Sequence, residues 1–169
     1  MGRADADRLR VLAAEIRDEV ARIDRVVAEI DRVHEVLDRE PSEPLVLYGA
    51  AALLETFYTG FEKCISRVAK RFGGLPDGSG WHRALLDSMS LDVPGVRPPV
   101  LRAMSAKRME PLLAFRHRFR NLYLFELKHG AIRRLVAEAQ AAWPGTRDDL
   151  LRFAGALDQM ASGVDGDGS

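Results

Sequence analysis

Leu9, Ile16, Ile23, Ile30 and Leu37 recur every seven residues through the first part of the chain, and Leu12, Val26 and Val33 follow three positions after three of them. Glu19 is the only break in that second row. An apolar seam held over about four heptads predicts one long helix over 5–39. At 1.5 Å per residue it is about 50 Å long. It therefore needs an equally long neighbour, either a second helix of this chain or the same helix of another copy. Asp, Glu and Arg fill the other faces at spacings that suit pairing along a helix.

Pro41 ends this helix, and Ser42-Glu43-Pro44 predicts the next start, a capping hydroxyl with proline in the first turn. The second helix runs to about Phe72, with Leu45, Tyr48, Ala52, Phe57, Phe61, Ile65, Val68 and Phe72 as its apolar face. Gly49, Ala50, Ala51, Ala52 and Gly60 are small, which allows a neighbouring helix close. Gly73-Gly74 terminates it. GGLPDGSG is a loop, Trp81–Met89 a short helix and LDVPGVRPP (91–99) an irregular stretch. Helix resumes at Val100, breaks or kinks at Pro111, where an amide donor is missing, and continues over 112–127. His129-Gly130 interrupts it before a run to about Trp143. Pro144-Gly145 reads as a turn, and Thr146-Arg-Asp-Asp149 as the capping start of a last helix to about Met160. No sustained alternation of apolar and polar residues appears, so no strand is expected. The expectation is an all-α protein, an antiparallel bundle of four to five main helices. Residues 1–162 form a single domain, and 163–169 a disordered tail.

Composition changes this picture little. A chain of 169 residues with 47% apolar and 30% charged residues suits one soluble globular domain. No apolar window reaches the length of a membrane span. The N-terminus, MGRADADRLR, has no apolar core of a signal peptide. The single cysteine, Cys64, excludes an internal disulfide, fits a reducing cytoplasm and reads as a small core residue. Charge says more. The net charge is zero, but residues 102–134 hold nine Lys/Arg against two acids. The neutral total hides a polarised molecule that gathers anions locally.

Familiar catalytic signatures are missing, among them HExxH, paired CxxC, a Walker loop and GxSxG. His34, His82, His117 and His129 fall in separate segments without a Glu-x-x-His pair, so neither metal nor cofactor is expected. The stretch that stands out is FRHRFRNLYLFEL (115–127). On an ideal helix Arg116, Arg120, Tyr123 and Leu127 share a face. Guanidinium groups donate bidentately to phosphate oxygens, so such a face can grip a phosphate. The same pattern also describes a solvated basic stripe.

Arg116-x4-Asn121-x-Tyr123 resembles the R-x4-H-x-Y signature of HepT-like proteins in the HEPN superfamily. The text around it agrees. FRHRFRNLYLFELK is similar to a branch whose motif reads roughly FRHxFRHAYxxELD. YGAAALLETFYTGFEKCI (48–65) resembles that branch's second helix, and LPDGSGWHRALLDSM (75–89) its loop and short helix. The resemblance spans about residues 44–135. It implies a HEPN-like helical bundle, commonly a homodimer, and a toxin that cleaves RNA without metal. It further implies a small MNT-type nucleotidyltransferase antitoxin that adenylylates the motif tyrosine, here Tyr123.

Metal-free RNA cleavage uses the substrate's own 2′-hydroxyl as nucleophile. It needs a proton-transfer group that works near neutral pH and a cation over the phosphate. Arg116, the arginine of the motif, suits the cation, and Arg118 and Arg120 of the same basic stretch are candidate phosphate or RNA contacts. The proton-transfer position holds Asn121, whose amide orients but exchanges no proton. Three readings follow: His117 beside the motif arginine acts instead, His129 reaches in, or the protein binds RNA or its partner without cutting. On an ideal helix Arg116 and Asn121 lie about 140° apart, so a shared site needs a kink, long reach or a second subunit. The competing functions are a non-catalytic HEPN interaction subunit of a nucleotidyltransferase complex and a structural coiled-coil protein built on the heptads.

Overall fold

The apolar seam that begins at Leu9 is buried within its own chain. A computed structural model describes residues 2–39, 43–119 and 126–166. Helix α1 covers Arg3–Arg39, and Leu9, Ile16, Ile23, Ile30 and Leu37 are all buried along it. Its long neighbour is α5 (His129–Gly166), packed antiparallel. Arg17 pairs with Asp158, Asp24 with Arg147 and the indole of Trp143, Asp31 with Gln140, and Asp38 with Arg133. Each of these α1 residues directly follows a seam residue. One seven-residue period thus sets both the apolar row and the polar row along its edge. The other flank of α1 meets α2 (Pro44–Phe72), through Asp5 to Arg71 and Glu19 to Arg67. Of the two neighbours the sequence allowed, the structure supplies the internal one.

Glu19, the break in the seam, is buried because α2 brings it cations. Arg67 Nη1 lies 3.3 Å and Lys63 Nζ 3.8 Å from its carboxylate. Beside it Gly60 lets the two helices close, since a Cβ there would sit 2.9 Å from Ile23 Cγ1. Gly60→Leu is expected to lose about 1–3 kcal/mol by overpacking, whatever leucine adds in helix propensity. A lowered urea midpoint with an unchanged slope is the readout.

The start of α2 differs from expectation. Glu43 supplies the cap, its carboxylate accepting the Leu45 amide at 3.1 Å, while Ser42 lies outside the described residues. Its end is as expected: Gly73 has φ 152°, and the amides of Gly73 and Gly74 both reach the Ala69 carbonyl. Helix α3 (Trp81–Ser88) follows the glycine loop. The irregular stretch after it is tied by Arg97, whose guanidinium donates to the carbonyls of Ser88, Leu91 and Pro98. An isolated bridge joins Val93 to Arg97, and no strand occurs among the described residues.

Helix α4 (Ala103–Phe119) starts three residues later than Val100, because Asp149 of α5 takes the Arg102 amide at 2.9 Å and caps the turn. Pro111 does not break it. The expected run to Leu127 can be followed only to Phe119, since 120–125 lie outside the described residues. Nor is Pro144-Gly145 a turn: α5 passes through it. Proline removes one amide donor, yet Ala139, Ala142, Trp143, Thr146, Asp149, Leu150 and Phe153 continue one buried face. The carbonyls of Ala141, Ala142 and Gly145 accept from Arg108, Thr146 and Arg102. Packing against α1 and α4 therefore holds one helix where local signals predict two. Thr146 and Asp149, expected to cap a new helix, serve mid-helix instead.

Candidate functional site

Arg116 was read either as part of a phosphate-gripping face or as part of a solvated basic stripe. It is buried, with only 5% of its surface exposed. The reason is its register: Met109, Leu112, Leu113 and Arg116 recur at helical spacing on the face of α4 that turns inward. A guanidinium survives there only with a counter-charge. Glu62 of α2 supplies it, one turn after Tyr58 and on the same buried face. Arg116 Nη2 lies 2.9 Å from Glu62 Oε1, an ion pair.

The other carboxylate oxygen, Oε2, lies 2.7 Å from Nδ1 of His82 on α3. An ionised carboxylate only accepts, so Nδ1 carries the hydrogen of this contact and Nε2 is left as the second ring nitrogen. Trp81 stacks on His82 with ring centroids 3.6 Å apart. On the outer side the exposed His117 meets His82 edge to face at 5.4 Å. Arg83 anchors α3 to α4 through Glu110. Three helices thus converge on a row that runs from solvent through His117 and His82 to Glu62 and Arg116.

Two buried polar atoms of this row have no partner among the described residues, Tyr58 Oη and Arg116 Nε. The Tyr58 ring lies 6.0 Å from the Arg116 guanidinium carbon. Burial, and then the nearby negative charge of Glu62, push the Tyr58 phenol well above its ordinary pKa, so it stays neutral.

The remaining expected residues divide. His117 joins the cluster. Arg118 is exposed and turns away. With Pro111, Ala114, Ala131, Arg134, Leu135 and Glu138 it lines an open cavity of about 470 Å³ between α4 and α5. Arg120, Asn121 and Tyr123 lie outside the described residues. His129 does not reach in: its Nε2 meets the Leu37 carbonyl at the end of α1, 3.1 Å away. Glu62 and His82 were missed. The signal was present, because His82 precedes Leu85 and Leu86 at helical spacing on the buried face of α3, and Glu62 lies beside Phe61 within the buried residues of α2.

The basic segment is also less free than its count suggests. Arg102 pairs with Asp149, Arg116 with Glu62 and Arg133 with Asp38, while Arg108 donates to a carbonyl. Cys64 is buried and its thiol is pushed up to about 12 by burial, so it stays a neutral core group. No cluster of three or more metal-ligating side chains occurs among the described residues. No described helix is long and apolar enough to cross a membrane.

A family model described as HepT-like protein matches residues 49–157, which include Tyr58, Glu62, His82, Arg116 and His117. Neither a curated protein nor a solved structure gives a significant match.

Proposed function

The chain belongs to the HepT-like family of HEPN proteins, and from that premise we propose that it is the toxin of a toxin–antitoxin pair, a metal-independent endoribonuclease. Its antitoxin is a nucleotidyltransferase that silences it by adenylylating Tyr123. The working form is a homodimer. The observation that carries the reading is the exposed imidazole of His117, one residue beyond Arg116 and in ring contact with His82. Imidazole is the side chain suited to proton transfer near neutral pH, which Asn121 cannot perform. Arg118 and Arg120 then hold the RNA phosphates, because the charge of Arg116 is already met by Glu62.

That same ion pair favours a second reading, a non-catalytic HEPN subunit that docks on the nucleotidyltransferase. The two separate in one assay. Purified protein with an RNA substrate and EDTA is expected to cleave, and His117→Ala to slow cleavage by about 10²-fold or more. His117 is exposed, so the variant is expected to keep its fold. RNA retained but uncut supports the second reading, and RNA neither cut nor retained removes the nuclease. Co-expression with the antitoxin, followed by intact mass, should show added AMP that disappears in Tyr123→Phe.

A further inference from the structure

The proton-transfer position of the family motif is asparagine in this chain, yet an imidazole stands beside the motif arginine all the same. It comes from another helix. We propose that His82, held by Glu62, is the general base that replaces the histidine absent at position 121, with His117 as the general acid. The inference rests on the nuclease reading above and names which side chains perform it.

The geometry carries it in five steps. Glu62 Oε2 at 2.7 Å from Nδ1 sets the tautomer of His82 and leaves Nε2 as the basic ring nitrogen. Stacking on Trp81 at 3.6 Å fixes the plane of the ring. The same carboxylate grips Arg116 at 2.9 Å, so the motif arginine and His82 are tied to one rigid anchor. Glu62 also stabilises the imidazolium that forms when His82 takes a proton, the part a carboxylate plays behind a catalytic imidazole elsewhere. Finally, His117 meets His82 edge to face with ring centroids 5.4 Å apart, so the two imidazoles stand together at the solvent end of the row.

A buried cluster of this kind has a plain structural alternative, an ion pair that joins α2, α3 and α4. Tyr58 Oη and Arg116 Nε are buried without partners among the described residues. A buried ion pair is also seldom better for stability than apolar side chains of the same volume. Among the described residues, the charged and titratable groups around this junction are Glu62 and Tyr58 from α2, Arg83 from α3, and Arg116 and Glu110 from α4.

The step balances as follows. Nε2 of His82 takes the proton of the 2′-hydroxyl while its oxygen bonds to phosphorus. The bond from phosphorus to the 5′ oxygen breaks, and His117 gives that oxygen a proton. A 2′,3′-cyclic phosphate and a 5′-hydroxyl result, with no oxidant or metal required.

The test compares RNA with a substrate whose bridging 5′ oxygen is sulfur, a leaving group that needs no acid. On RNA, His82→Gln and His117→Ala are each expected to slow cleavage by about 10²-fold or more, with helical content retained. On the sulfur substrate His117→Ala should recover and His82→Gln should not. If His82→Gln recovers or is fully active while the wild type cleaves, this inference is overturned and the nuclease reading stands. If the wild type does not cleave, both fall. A second measurement avoids the buried variant. His117→Ala on the sulfur substrate should rise with pH along one limb, that of the base, and a flat profile overturns the assignment.

Discussion

Glu62→Ala should lower folding stability by about 3–5 kcal/mol, because it strands a buried charge. The Arg116 side chain is only 6% exposed and would lose its counter-ion. His82 Nδ1 would lose its acceptor in the same step. The lost carboxylate therefore leaves two unpaired donors on two different helices, α3 and α4. Urea denaturation of the variant should show a lower midpoint, and α3 should become the first segment to exchange its amides. The contrast is the double variant Glu62→Leu with Arg116→Met, which removes both charges together. It is expected to recover the part of the loss that belongs to Arg116, since apolar side chains of similar volume replace a buried pair at little cost, while His82 Nδ1 stays without its acceptor. A single-variant loss under about 1 kcal/mol would show that Arg116 finds water or another partner when Glu62 is gone. The interpretation of the site would then change.

Asp149→Ala should cost on the order of 3 kcal/mol, for a different reason. Asp149 is 1% exposed and caps α4 from inside α5, accepting the Arg102 amide at 2.9 Å and Arg102 Nε at 2.7 Å. Burial pushes its carboxyl upward. The Ser105 hydroxyl, the Arg102 amide and the Arg102 charge outweigh burial and hold the pKa below the ordinary carboxylate range. A carboxyl depressed in the folded state stabilises fully above its unfolded pKa of about 3.9. That contribution fades as pH falls through the lower folded value. Thermal melts from pH 7 to pH 3 should therefore show wild type ahead of Asp149→Asn at neutrality, with the gap closing in acid. A gap that stays constant down to pH 3 would rule out an ionised cap.

Most of the bundle could be read along the chain. The seam from Leu9 to Leu37, the glycine stop at Gly73-Gly74 and the short helix at Trp81 all stand where their spacing puts them. Each is a local statement. A heptad, a positive-φ glycine or a proline at a helix start constrains the few residues around it, whatever the rest of the chain does. The misreadings arose where distant packing overrules such a statement. Pro144-Gly145 is a turn by composition and a helix in the fold, because α1 and α4 hold both sides of it and arginine side chains serve its carbonyls.

The buried cluster at the end of α4 was legible in part, and for the same reason. FRHRFRNLYLFEL, a family pattern written in consecutive residues, contains the Arg116 and His117 that the structure places in it. What that pattern could not convey is that Arg116 faces inward. Its neutralising charge comes from Glu62, 54 positions earlier in the chain, and its imidazole neighbour His82 arrives on a third helix. Periodicity sorts residues into inner and outer faces without knowledge of partners. The pairing of charges and imidazoles depends on which faces meet, and that is settled by the packing of α2, α3 and α4, where the cost of burying a charge favours the arrangement that brings Glu62 to Arg116.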